Sequence, residues 1–76
     1  MDEGIKKAIE DHQFINSQQA WLGNKRWASL EIIFHTETDR TCNLSIGRYL
    51  SDGRKEIPQV IHSYTPGGAV TRHLLP

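Results

Sequence analysis

The chain has 76 residues, with nine basic and nine acidic side chains and one cysteine, so it is small, uncharged overall and without an internal disulfide. A chain of this size buries only about 60% of the surface that its unfolded form exposes, so it depends on tight packing or self-association. Zero formal charge argues against general attraction to nucleic acid. The four histidines and Cys42 lack the paired spacing of a zinc site. No apolar run reaches the roughly 18 residues of a membrane span. We therefore expect a cytoplasmic protein without cofactor or metal, forming a single domain over residues 1–76.

The N-terminal segment has the spacing of an amphipathic helix. One face carries apolar side chains three and four residues apart, with a histidine at its end: Ile5, Ala8, Ile9 and His12. We predict a helix over residues 2–13 that must dock this face on a sheet, because three turns are too few to be stable alone. A second short helical turn could follow, capped by Ser17 and ended by Gly23-Asn24, with a loop as the alternative.

The remainder of the chain has the pattern of strands and turns. Residues 27–36, 41–50 and 56–64 are predicted strands, and residues 69–75 are either a fourth strand or a loose tail. Asp52-Gly53 predicts a hairpin turn, and Pro58 predicts a sheet edge or a bulge. The predicted fold is α+β, with an N-terminal helix packed on one face of a three- to four-stranded antiparallel β-meander.

Alternation along the strands predicts the register. A three-residue loop, Glu37-Thr38-Asp39, keeps the apolar positions of the first two strands on one face, pairing Phe34 with Cys42 and Leu30 with Ile46. The Asp52-Gly53 turn then sets Leu44 opposite Ile61. The other side, turned away from the helix, is called the open face. Its predicted pairs are Trp27 with Tyr49, Ile33 with Asn43, and Asn43 with His62.

The open face is the predicted working surface, because mixed aromatic and apolar patches on small proteins usually mark contact sites. Its predicted partner-binding residues are Trp27, Glu31, Ile33, His35, Asn43, Tyr49 and His62. The predicted function is non-enzymatic: a regulator or inhibitor that occludes a larger protein partner. Compact, neutral, cofactor-free domains of this length are common among phage-encoded accessory proteins, so the host cell is one expected setting. An unpaired sheet edge also favours a homodimer.

Two other functions use the same residues. Trp27 and Tyr49 could stack the bases of a single-stranded nucleic acid, with arginines nearby for the phosphates. A small endoribonuclease could combine Glu31, His35 and His62 with Arg40 or Arg48, although their spacing matches no known signature. Cys42 is predicted to lie in the core, away from His35, which argues against a cysteine nucleophile.

Overall fold

A computed structural model describes residues 2–22 (backbone only from 19 to 22) and residues 25–76. One helix, α1 (Glu3–Leu22), packs on a four-stranded antiparallel sheet in the order β1-β2-β3-β4. The strands are β1 (Arg26–Phe34), β2 (Arg40–Arg48), β3 (Val60–Tyr64) and β4 (Val70–Leu74). The predicted α+β class is confirmed, and the segment from residue 69 does contain a fourth strand.

Helix α1 continues well beyond the predicted end near residue 13. No glycine or proline interrupts residues 5–22, so no local signal ends the helix there. Ser17 does not cap a second helix; its hydroxyl donates to the Phe14 carbonyl oxygen at 2.7 Å within α1. The predicted Gly23-Asn24 helix end lies outside the described residues. At the N-terminus, Asp2 Oδ1 accepts the Ile5 N–H at 2.7 Å and caps the first turn.

The β1–β2 hairpin keeps the predicted faces but not the predicted pairs. Leu30 pairs with Leu44 and Phe34 with Arg40, so each partner lies two residues from the predicted one. The connection is an odd-length loop as predicted, but the His35 N–H donates to the Asp39 carbonyl, which makes residues 36–38 the tip. The Thr36 hydroxyl accepts the N–H of Asp39 at 2.9 Å and holds this tip.

The β2–β3 connection overturns the predicted register. Leu44 pairs with His62 rather than with Ile61, which moves His62 to the helix side of the sheet. Two differences from the predicted structure combine to give this result. The first is the turn, which has three residues, 51–53, instead of the predicted two, because the Leu50 N–H donates to the Arg54 carbonyl at 2.7 Å. Gly53 in this turn has a φ of +87°. The second difference is a bulge that follows the turn.

That bulge, at residues 56–59, confirms the interpretation of Pro58. Lys55 bridges to Tyr49 and Val60 pairs with Ile46, so one chain advances five residues while the other advances three. The longer turn shifts the pairing by one residue, and the bulge shifts it by two in the opposite sense. The net shift of one residue exchanges the faces of β3.

The core lies between α1 and the helix side of the sheet. Ala8, Cys42, Leu44 and Tyr64 are buried there, and a rim of half-buried apolar side chains surrounds them: Ile5, Ile15, Ala28, Leu30, Ile32 and Ile46. Phe34, predicted to be in the core, is 70% exposed at the end of β1. Its partner Arg40 sends its side chain to Asp2, so a polar contact occupies this end of the sheet.

Candidate interaction surfaces

The open face carries six of the seven predicted contact residues. Alternation along the strands points the side chains of Trp27, Glu31, Ile33, Asn43 and Tyr49 away from α1. His35, just beyond the end of β1, joins them through its contact with Thr41. His62 does not, because it pairs with Leu44 on the helix side, where its ring meets that of Tyr64 edge-on at 6.4 Å. The predicted pairs are also wrong: Trp27 lies opposite Gly47, Ile33 opposite Thr41, and Asn43 opposite Glu31 and Ser63.

Trp27 is a packing residue rather than an exposed anchor. It is only 7% exposed, and its ring lies across Gly47, where an added Cβ would come within 2.5 Å of the ring. The indole Nε1 donates to the Arg48 carbonyl at 3.1 Å, and the Lys55 ammonium lies 5.3 Å from the ring centroid. The ring therefore offers no free face for stacking a base.

The remainder of the open face is mainly polar. Glu31 lies opposite Asn43, and Ser29 lies opposite Ser45. The His35 Nε2 is 2.8 Å from the Thr41 hydroxyl, and both groups are near the end of the hairpin. Ile33 is partly exposed among these polar groups. This surface therefore lacks the contiguous apolar patch on which the predicted binding mode depends.

The proposed acid–base set is not brought together. His62 lies on the opposite side of the sheet from Glu31 and His35. Arg40 is bound by Asp2, and Arg48 lies 3.7 Å from Glu56. Across residues 2–22 and 25–76, no three or more His, Cys, Asp or Glu side chains are placed to hold a metal ion.

Cys42 lies in the core as predicted. It is 2% exposed, and burial raises the pKa of its thiol above the usual range. His35 is exposed beyond the end of β1, so the two do not form a nucleophile and base.

A polar cluster that the sequence did not reveal closes one end of the helix side. Arg40 donates to both carboxylate oxygens of Asp2, at 2.6 and 2.8 Å, and to the Tyr64 carbonyl at 3.1 Å. The Tyr64 hydroxyl in turn donates to Asp11 at 2.7 Å. We call Asp2, Asp11, Arg40 and Tyr64 the polar clamp. It ties the N-terminal cap of α1 and Asp11 within α1 to β2 and β3.

The clamp also changes the acidity of its members. The hydrogen bonds from Arg40 hold the pKa of the Asp2 carboxyl below its usual range. Burial, with the Asp11 carboxylate second, raises the pKa of the Tyr64 hydroxyl above its usual range. Asp2 and Arg40 are 38 residues apart and Asp11 and Tyr64 are 53 apart, so no local sequence signal marks these pairs.

An apolar surface at the other end of the helix side was also missed. We call it the apolar patch, and its members are Ile57, Pro58, Val60, Leu74, Leu75 and Pro76, which line a shallow depression of about 550 Å³ beside Arg48 and Glu56. Ile57 is 75% exposed and Leu74 is 70% exposed. The sequence signal was two apolar-proline junctions, Ile57-Pro58 and Leu75-Pro76, which lie outside the regular strands.

The position of α1 explains why this patch is uncovered. The helix packs mostly on β1, less on β2 and least on β3, so it leaves the outer part of the sheet bare. One flank of α1, with Glu3, Lys7 and Glu10, lines a hollow with Gly67 and Gly68 and so faces the β3–β4 hairpin. Phe14 lies two helical turns after Lys7 and is largely exposed, so it adds one apolar side chain to this otherwise charged flank.

The free edge of β4 lies beside the apolar patch. The Thr65 N–H donates to the Ala69 carbonyl, and the Leu75 N–H donates to the Gln59 carbonyl. The backbone groups of the odd-numbered residues of β4 therefore bond to β3. The N–H and C=O groups of Val70, Arg72 and Leu74 therefore point outward. All five residues of β4 are exposed. A strand binding here would have backbone partners and an adjoining apolar surface.

No family model, curated protein or solved structure matches this chain. Within the described residues, no helix is both long enough and apolar enough to cross a membrane.

Proposed function

We propose that this protein is a non-enzymatic interaction module that binds an extended segment of a larger protein partner along the free edge of β4. By covering that segment, it would act as a regulator or inhibitor of the partner. The observation that carries the proposal is the juxtaposition of outward N–H and C=O groups at Val70, Arg72 and Leu74 with the apolar patch. Strand addition uses these two features: backbone hydrogen bonds for affinity and side-chain pockets for specificity.

The chemistry of the edge indicates which segment would fit. The helix-side positions of β4 are Val70, Arg72 and Leu74, and the strand has no acidic residue. A partner strand with an acidic side chain near Arg72 would be favoured electrostatically. Apolar side chains toward its other end would cover Leu74 and Ile57, the most exposed members of the patch. This surface replaces the predicted open face, where Trp27, one of the predicted contact residues, is buried.

The proposal is tested by selecting peptides from a displayed random library against the folded protein. We expect binders in which apolar and polar residues alternate, with an acidic residue near Arg72. Their binding should slow hydrogen exchange at the amides of Val70, Arg72 and Leu74. An Arg72→Pro variant removes one outward N–H without breaking the β3 ladder, and it should weaken binding about tenfold or more.

Two controls separate the contributions. Arg72→Gln keeps the N–H and should lose only the preference for acidic peptides. Leu74→Ser should weaken binding, whereas Phe34→Ser should not, although both residues are 70% exposed. The proposal would be wrong if selected peptides bound the Arg72→Pro variant as tightly as the native chain, or if the folded native chain selected none.

A further inference from the structure

The opposite edge of the sheet, β1, has different properties from β4. It is nine residues long against five in β4, and within it no proline or bulge interrupts the regular pairing, so it is the longer uninterrupted edge. The His35 N–H donates to the Asp39 carbonyl, and the Tyr49 N–H donates to the Lys25 carbonyl. The backbone N–H and C=O groups of the odd-numbered residues of β1 therefore point toward β2. The backbone groups of Ala28, Leu30, Ile32 and Phe34 therefore point outward along this edge.

From this arrangement we infer that β1 pairs with β1 of a second copy of the chain, joining two four-stranded sheets into one antiparallel sheet of eight strands. The midpoint of β1 is Leu30, and Leu30 is one of the residues whose backbone points outward. A two-fold axis at Leu30 thus gives full overlap of the strands and complete backbone pairing at the same time. Leu30 meets Leu30, and Ala28 meets Ile32 of the second copy.

The charges on β1 favour this register over its neighbours. Each Glu31 lies opposite Ser29 of the second copy, on the open face. A shift of the axis by one residue toward Phe34 would set the two Glu31 side chains directly opposite each other, and like charges in that position destabilise a strand pair. A shift the other way shortens the overlap. The match in length, charge and backbone pairing is a match of β1 with itself, so the proposed occupant of this edge is a second copy of the chain rather than a strand of a different protein.

The helices fit the same arrangement. Because α1 packs mostly on β1 and then on β2, the two helices would lie on the order of 10 Å apart, which is close to the usual packing distance. Glu3, Lys7 and Glu10 face the β3–β4 hairpin, so the flank with Ile5 and Ile9 faces the β1 edge. These two side chains are half-buried in the single chain, and the second helix would cover them further.

This dimer is independent of the proposed peptide binding. It uses only the β1 edges, and it leaves both β4 edges free at the outer ends of the eight-stranded sheet. The dimer would therefore present two equivalent β4 edges for peptide binding. Each edge can be blocked without affecting the other.

Sedimentation over a range of protein concentrations tests the inference. We expect the native chain to approach twice its 8.7 kDa mass. Ala28→Pro removes an outward N–H at the interface while leaving the β2 ladder intact, so it should give a folded monomer. Arg72→Pro makes the same change on the β4 edge and should remain dimeric. A native chain that stays at 8.7 kDa at its highest soluble concentration overturns the inference.

A second pair of variants tests the register and does not depend on how well the proline variant folds. Ser29 is exposed, so charge is tolerated there in the monomer. Ser29→Lys would meet Glu31 of the second copy and should tighten the dimer, whereas Ser29→Glu should weaken it. With two symmetric pairs, each change should be about two-fold to thirty-fold in the dissociation constant. Equal effects of the two variants would exclude the proposed register.

Discussion

The two ends of the helix side of the sheet are held in different ways. At one end, the polar clamp joins Asp2 and Asp11 of the helix region to Arg40 and Tyr64 of the sheet. At the other end, the apolar patch has no helix above it, and Leu74 and Ile57 remain exposed. The first end is polar but closed, and the second is apolar but open. In a domain with so small a core, directed hydrogen bonds fix the helix in place at one end, while apolar surface remains exposed at the other.

Leu44, at the centre between these ends, should give the largest effect on stability. It is fully buried beneath α1, so Leu44→Ala removes packing atoms and leaves a cavity. We expect a loss of about 2–5 kcal/mol in the free energy of unfolding, measured by chemical denaturation. Leu74→Ala is the matched control at the open end, and it should change stability by no more than about 0.5 kcal/mol. Similar losses in both variants would mean that the patch is covered.

Gly4 tests the closed end. A Cβ at Gly4 would lie 1.9 Å from the Thr65 carbonyl oxygen and 2.7 Å from Arg40 Nη2, so α1 must move if any side chain is added. We expect Gly4→Ala to lose about 1–3 kcal/mol, although alanine is ordinarily the better helix former. Gly67→Ala is the control, since a Cβ there meets nothing within 4 Å. A stabilised Gly4→Ala variant would show that the helix does not approach the β3–β4 hairpin this closely.

The pH dependence gives the smallest of these three effects. The pKa of Asp2 is lowered in the folded state, mainly by Arg40, so its contribution is complete above the unfolded pKa near 4. That contribution is lost as the pH falls through the folded pKa. Asp2→Asn retains a good helix cap but carries no charge. Thermal unfolding between about pH 2 and 6 should therefore depend less on pH in Asp2→Asn than in the native chain. Identical profiles would show that the charge on Asp2 does not contribute to the pH dependence of stability.

The fold was predictable because its signals are local. Alternation identified β1 and β2, and the odd length of their loop kept Leu30 and Leu44 on one face. The tip of that loop was misplaced by one residue because the Thr36 hydroxyl draws Thr36 into the turn. The helix end was missed because nothing between Phe14 and Leu22 breaks a helix.

The candidate site was less predictable because it depends on exact pairing between strands. The burial of Trp27 follows from Gly47 lying opposite it, and the predicted register set Tyr49 there instead. The side of the sheet on which His62 lies depends on the length of one turn and the size of one bulge, and these act in opposite directions. The clamp joins residues far apart in the chain. Such features require the assembled structure.

The bulge at residues 56–59 also limits how the length of this protein can vary. Deleting one of these residues would turn β3 and β4 over, so that Ile61 would face the helix and Tyr64 would lose Asp11. Deleting two would leave every side chain on its present face and extend the regular pairing from Lys55. Insertions and deletions here therefore keep the side chains of β3 and β4 on their present faces only when they change the length by an even number of residues.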